Sequence, residues 1–239
     1  MGKVILIASG KGGTGKSVFV ANAGAVLALR GYKVALIDMD MGLRNLDICL
    51  GLEDKVVYDL FDVLTGLCRI KQALVRDKRF GELYLMSAPP RNKDADITPL
   101  HMKVLCKKLR GSFDYILIDA PGGVGDAVVL SAAGADSAVI VTVPDHTAVR
   151  DADVLHSVLK ENGVTDVKYV LNKVRSETIA TGLVPGISEI AEKLRAQPAG
   201  IIQYDDNIHI AANNGLPVVF KKGTYIEENF NKIADRIIM

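Results

Sequence analysis

Short, continuously apolar runs recur along the chain, at residues 4–8, 34–37, 83–86, 115–118, 138–143, 169–171 and 200–202. Most do not alternate with polar positions, which is the pattern of strands covered on both faces in a parallel sheet. Helical patterns lie between them: 17–29 ends at Gly31, 100–109 at Gly111 and 149–161 at Gly163, each glycine placed as a C-cap. At the end of the chain, Ile226, Phe230, Ile233 and Ile237 stand at offsets 0, 4, 7 and 11, a one-sided helical stripe that predicts a final helix docked on the sheet. Alternating β and α segments predict an α/β fold, a three-layer, doubly wound, mostly parallel sheet.

Composition narrows the class. With 239 residues, 49% of them hydrophobic, one domain spanning residues 1–239 can bury a substantial core. Twenty-nine basic against 28 acidic side chains leave a net charge of +1, which lends no support to a dedicated nucleic-acid binder. Cys49, Cys68 and Cys106 form no CxxC pair, so the expectation is buried free thiols rather than a disulfide framework or a zinc site. The opening MGKVILIASG is too short an apolar run for a signal peptide, and no 18-residue apolar stretch lacks a charge. A cytoplasmic protein is expected. The RNKDAD segment at 91–96 reads as a solvated loop.

The chemistry concentrates in Gly10-Lys11-Gly12-Gly13-Thr14-Gly15-Lys16-Ser17, a full G-x-x-x-x-G-K-[ST] pattern between a predicted strand and a predicted helix. Glycines let the backbone turn tightly enough to aim N–H groups at phosphate oxygens, and the helix N-terminus adds its positive dipole end. In this P-loop NTPase pattern Lys16 reaches the β and γ phosphates and the Ser17 hydroxyl ligates Mg²⁺. Asp38 and Asp40 follow the run at 34–37, and Asp119 follows 115–118 in Asp119-Ala120-Pro121-Gly122-Gly123. Both positions are at the C-terminal edge of a parallel sheet, where ligands bind and where a carboxylate can hold Mg²⁺ or orient water. Each aspartate taken alone also suits a helix cap or a turn. Nothing in this local reading calls for Lys11.

These residues resemble the deviant Walker-A ATPases of the MinD/ParA group, whose loop is KGGxGK[ST]. The run Gly42-Leu43-Arg44-Asn45-Leu46-Asp47, followed by Val56-Val57-Tyr58-Asp59, is similar to the septum-placing branch of that group rather than to its plasmid-partition or flagellar-number branches. The resemblance extends from Lys3 to about Ile237. It implies an ATP hydrolase, with ATP and Mg²⁺ as cofactors, that forms a homodimer on binding ATP. Gly10, Lys11, Gly12, Gly13, Thr14, Gly15, Lys16, Ser17 and Val18 would contact the nucleotide, and Asn172 would read the adenine edge. Ser17, Asp38 and Asp119 would serve the metal and Asp40 the attacking water. Lys11 would cross to the partner subunit's phosphates, acting as an arginine finger does but with a point charge. Division-inhibitor and activator proteins of the MinC and MinE type are the implied partners. Reversible membrane attachment is implied through a basic amphipathic segment beyond the last core helix, which the residues up to Met239 do not contain.

Two features depart from that pattern or compete with it. The family usually has Pro-Glu-Asp where this chain has Gln203-Tyr204-Asp205. A DNA-partition ATPase is the alternative reading, its cations being Lys107, Lys108 and Arg110 or Lys221 and Lys222, which look like ordinary solvated positions. A third reading is a nucleotide-responsive scaffold with negligible turnover. An iron–sulfur protein on the same loop needs cysteines after the strands, and these three are not placed there. The histidines at 101, 146, 156 and 209 show no ligand spacing. His146, with Asp145, Arg150 and Asp151, is placed to line a partner surface.

Overall fold

The computed structural model describes residues 2–41, 43–90 and 97–239. Its strands are β1 (Lys3–Ser9), β2 (Val34–Asp38), β3 (Leu74–Asp77), β4 (Leu83–Met86), β5 (Tyr115–Gly122), β6 (Ser137–Thr142), β7 (Asp166–Val174) and β8 (Gln197–Gln203). They form one sheet in the order β3-β4-β2-β5-β1-β6-β7-β8, parallel throughout except for β3 against β4. The helices are α1 (Lys16–Leu29), α2 (Leu46–Cys49), α3 (Leu60–Leu64), α4 (Ile70–Ala73), α5 (Pro99–Leu109), α6 (Asp126–Ala132), α7 (His146–Glu161), α8 (Ser176–Ala180), α9 (Ile187–Lys193), α10 (Asp206–Asn213) and α11 (Tyr225–Ile238).

Central β1 shows how the layers arise. Val4, Leu6 and Ala8 point to a core shared with α5, α6 and α7, while Ile5 and Ile7 point to one shared with α1 and α11. Both faces are apolar, which is why the run shows no alternation. Helix α1 packs on the sheet and against α2 and α11 and is buried on nearly every side, so its sequence lacks a polar stripe. Helix α11 packs beside it directly on β8 of the sheet, as predicted, and keeps a one-sided stripe: Ile226, Phe230, Ile233 and Ile237 are all buried. Thr224 caps it by accepting from the Glu227 N–H at 3.2 Å. Lys3 Nζ donates to the carbonyls of Ile237 and Ile238 at the other end, at 3.5 and 3.3 Å.

Three expectations change. Strand β3 was not predicted: Leu74 and Val75 are half-buried, Arg76 is exposed and only the polar Asp77 is buried, and the strand pairs antiparallel at the edge of the sheet, so it lacks the buried apolar run that marks the others. Strand β5 continues through Asp119 to Gly122, so Asp119 is a strand residue rather than one following a strand. Gly31 and Gly163 adopt φ of +91° and +88° as helix-ending glycines do, whereas Gly111 is not left-handed. The 91–96 segment and Gly42 lie outside the described residues. No helix among the described residues is long and apolar enough to cross a membrane.

Phe230 is 2% exposed and stacks on Phe19 with centroids 6.0 Å apart. Phe230→Ala removes the ring that joins α11 to α1, and a loss of about 3–5 kcal/mol in urea unfolding is expected. A loss below about 1 kcal/mol would show that α11 does not carry this part of the core.

Candidate nucleotide-binding site

The loop between β1 and α1 is shaped by contacts from two neighbouring elements. A Cβ on Gly10 would stand 2.5 Å from the Asp151 carbonyl carbon, so α7 can cross the loop only where a side chain is missing. Gly15 has φ of +88°, and a Cβ there would lie 2.5 Å from the Asn172 amide nitrogen. From the end of β7, Asn172 Nδ2 donates to the Thr14 carbonyl and Lys173 Nζ to the Gly13 carbonyl, both at 2.8 Å. In a trans peptide the N–H points opposite to the C=O. Turning these two carbonyls toward β7 therefore aims the N–H groups of Thr14 and Gly15 away from it, as a phosphate cradle requires. Sequence reasoning missed Lys173. Its φ of +56° and its place beside Asn172 matter only once β7 is known to abut the loop.

Beneath the loop lies a buried charge cluster. The register of the parallel pair β2 and β5 places Asp38 directly beside Asp119, and both are fully buried. Lys16, 7% exposed, reaches Asp119 Oδ1 at 2.5 Å. Asp38 Oδ1 accepts from the Asp40 N–H at 2.8 Å and Oδ2 from the Leu46 N–H at 3.2 Å, so both its oxygens organise the segment after β2. That segment carries the Leu43-to-Asp47 run singled out in the sequence. Arg44, in a left-handed conformation, pairs with buried Asp47 and donates to the Glu53 carbonyl at 3.0 Å. Asp40 is half-buried beside the cradle, and its carboxylate has no hydrogen-bond or ion-pair partner among the described residues.

Burial, reinforced by the charge of Asp119, pushes the Asp38 carboxyl up to about 7. Burial also pushes Asp119 up, opposed by the Lys16 ammonium. Cys49, at the rim, is pushed up to about 12, first by burial and then by these carboxylates, so it is an inert thiol rather than a nucleophile.

A cleft of about 420 Å³ opens over the cluster, lined by residues 12–18 of the loop together with Asp40, Asn45, Lys173, His209 and Asn213. The structure thus brings Gly12, Gly13, Thr14, Gly15, Lys16, Ser17, Val18 and Asp40 to one cavity, with Asp119, Asp38 and Asn172 around it. His209 was not expected at this site. It arrives on α10, whose placement follows from long-range packing against α2. Asn172 contacts the loop itself. Beyond the cleft, the Arg175 guanidinium lies 3.5 Å from the Tyr204 ring centroid, and Asp205 caps α10 by accepting from the Asn207 N–H at 2.8 Å.

Gly10 does not line the cleft, and neither does Lys11. Its Nζ turns out of the cleft to Asp145 Oδ1 at 3.1 Å and Thr147 Oγ1 at 3.2 Å, at the start of α7. The Thr147 hydroxyl, the Ala148 N–H and the Lys11 ammonium hold the Asp145 carboxyl well below the usual carboxylate range.

The donor set fits a magnesium nucleotide. Asp119 Oδ2 and Thr14 Oγ1, a carboxylate oxygen and a hydroxyl, are buried polar atoms with no hydrogen-bond partner among the described residues. Such atoms are costly unless something else satisfies them. A cation at Asp119 and phosphate at the loop would do so, with Ser17 completing an all-oxygen set suited to Mg²⁺.

Because the folded-state value of Asp38 lies above its ordinary 3.8, its contribution to stability is full below about pH 4 and is lost as pH rises toward 7. In nucleotide-free protein, each pH unit of that window removes up to about 1.4 kcal/mol. Asp38→Asn is expected to flatten this slope, read as urea midpoints at about pH 5 and pH 7. An unchanged slope would place the titration elsewhere.

Comparisons with known proteins agree with this geometry. Residues 5–218 match the family described as CobQ/CobB/MinD/ParA nucleotide binding domain. The septum site-determining protein MinD of Bacillus subtilis is 40% identical over 240 residues, covering 100% of this chain and 90% of that protein. That of Synechocystis is 41% identical over 239 residues, covering 99% and 90%. Among solved structures, the MinC:MinD cell division protein complex of Aquifex aeolicus superposes with a TM-score of 0.91 at 35% identity, covering 99% of this chain and 96% of that one. MinD of Pyrococcus horikoshii, complexed with Mg-ADP, gives 0.86 at 28% identity, with 99% and 96% covered. The chain belongs to the CobQ/CobB/MinD/ParA nucleotide-binding family, on its septum-site-determining branch.

Proposed function

We propose that this chain is a Mg²⁺-dependent ATP switch that dimerises on binding ATP, hydrolyses it across the dimer interface and so regulates placement of the division septum. The observation that carries this reading is the pair of lysines in one loop. Lys16 is buried against Asp119 beneath the cradle, while Lys11, five residues earlier, points away from its own cleft. A residue that cannot serve its own site while bound at α7 is suited to serve another.

Lys16 would exchange Asp119 for the β and γ phosphates, and the loop N–H groups would hold the same oxygens. Ser17 Oγ and Asp119 Oδ2 would hold Mg²⁺ directly or through water, with Asp38 keeping the adjoining segment in place. The metal, when bound, neutralises charge on the transferred group. Asp40, whose carboxylate has no partner among the described residues and stands beside the cradle, would orient water for in-line attack. Asn172 gives one of its two amide N–H groups to the Thr14 carbonyl, and an adenine amino group, itself a donor, would meet its Oδ1. A partner of the MinC kind, present with MinD in the Aquifex complex, is proposed for this chain as well, together with an activator and reversible membrane attachment. DNA partition draws on no comparable observation. Of its candidate cations, Arg110 is held by Asp136 in two hydrogen bonds at 2.5 and 2.8 Å.

Lys16→Ala is expected to weaken ATP binding by about 100-fold or more, from loss of a buried charge-assisted contact of 3 kcal/mol order. Lys11→Ala is expected to retain ATP binding within about threefold while losing ATP-dependent dimerisation and phosphate release. Binding isotherms, size-exclusion chromatography with ATP and a phosphate-release assay read these separately. A Lys11→Ala protein that still dimerises and turns over ATP would overturn the role given to Lys11.

A further inference from the structure

A second concave surface lies on the α5 side of the molecule and shares no lining residue with the nucleotide cleft. Its upper part, about 800 Å³, is bounded by α3, α4 and α5. The lower part, about 520 Å³, continues past α4 to the end of α5 and reaches Phe113. The two share Ile70, Lys71 and Lys108, so they form one trough running beside α5.

The walls of the trough are apolar and its rim is basic. Leu100 and Val104, one turn apart on α5, are 66% and 44% exposed and form an uncovered strip along it. Cations stand at Arg69, Lys71 and Lys108 around the upper part and at Lys33 at the lower end. None of the four has an ion-pair partner among the described residues, and no described Asp or Glu lines either part. A chain whose net charge is only +1 thus gathers around one apolar channel four cations without an ion-pair partner among the described residues, Lys33 standing over the Tyr84 and Phe113 rings. Elsewhere on the surface its arginines are commonly paired, as Arg110 is with Asp136 and Arg195 with Asp153.

Charge and shape together select an occupant. The eleven residues of α5 give the trough a length of about 16 Å, three turns of a second helix. Duplex nucleic acid would use the cations but has no apolar face for the channel. A bilayer surface would use both but does not enter a concave groove. An amphipathic helix bearing Leu-like side chains on one face and carboxylates along its flanks matches both the floor and the rim. We infer that this trough is a docking site for an acidic amphipathic helix of a partner protein.

The test uses the full chain and a fluorescein-labelled synthetic peptide of about four turns, with Leu at helical i, i+3, i+4 and i+7 spacing and Glu elsewhere. Anisotropy titration at about 50 mM salt is expected to show saturable binding that weakens as salt rises. The double variant K71E/K108E is expected to lose about tenfold or more in affinity while keeping its urea midpoint and ATP binding. K221E/K222E, a charge reversal of the same size remote from the trough, is expected to bind the peptide as the parent does. The inference is overturned if binding is absent, if K71E/K108E binds normally, or if K221E/K222E weakens binding equally. It is also overturned if peptides with Lys for Glu, or Ser for Leu, bind as well as the original. Should vesicles with about 30% phosphatidylglycerol or a short DNA duplex lose binding in K71E/K108E while the peptide does not, the surface belongs to that ligand instead.

Discussion

The register between β2 and β5 puts two buried carboxylates, Asp38 and Asp119, side by side at the C-terminal edge of the sheet. Two like charges in a low-dielectric interior repel strongly, and each also resists desolvation. What surrounds them follows from the need to offset that cost. Lys16 turns inward to Asp119, two backbone N–H groups converge on Asp38, and the segment after β2 is drawn down over the cluster by its bond at Leu46. Lys16 is at once the first residue of α1 and the counter-charge of the core, which ties the helix start to the sheet.

A cluster held this way can act as a switch. Its partners are exchangeable: an ammonium satisfied by a carboxylate can be satisfied by phosphate, and a carboxylate satisfied by an ammonium can be satisfied by a metal. In the proposed cycle, exchange at Asp119 frees one oxygen while Asp38 keeps its backbone bonds, so a change in phosphate charge is transmitted along β5 and the post-β2 segment. The ion pair between Lys11 and Asp145 is of another kind. Both side chains are substantially exposed, and such a pair contributes little to stability. Breaking it costs little, which suits a lysine proposed to change partners.

The strength of the fold lies away from this region. The two apolar layers on either face of the sheet, with α11 joined to α1 through Phe230 and Phe19, hold the strands whose ends carry the site. The loop itself contributes polar contacts only, supported by Asn172 and Lys173 from β7. The trough beside α5 lies on the opposite layer from α1, so a ligand there and a nucleotide at the loop would meet different helices on one common sheet.

Much of this was legible in the residues. Continuous apolar runs marked the buried parallel strands because burial on both faces removes any alternation, and the stripe at Ile226, Phe230, Ile233 and Ile237 marked α11 because only one of its sides is covered. The loop pattern identified Lys16 and Ser17 because phosphate chemistry needs those groups within one turn of a helix start. What the chain order could not convey was contact between distant segments. Strand β3 escaped because an exposed edge strand carries no apolar signal, and Lys173 because its bond to Gly13 joins residues 160 apart. Asp38 and Asp119 were each readable as strand-end carboxylates, but 81 positions of sequence separate them. Only the pairing of β2 with β5 makes them neighbours, so that the charge of Asp119 adds to the burial that raises the proton affinity of Asp38. Sequence by itself determined which groups the site would use; the tertiary structure decided which of them touch, because electrostatic coupling depends on distance in space and not along the chain.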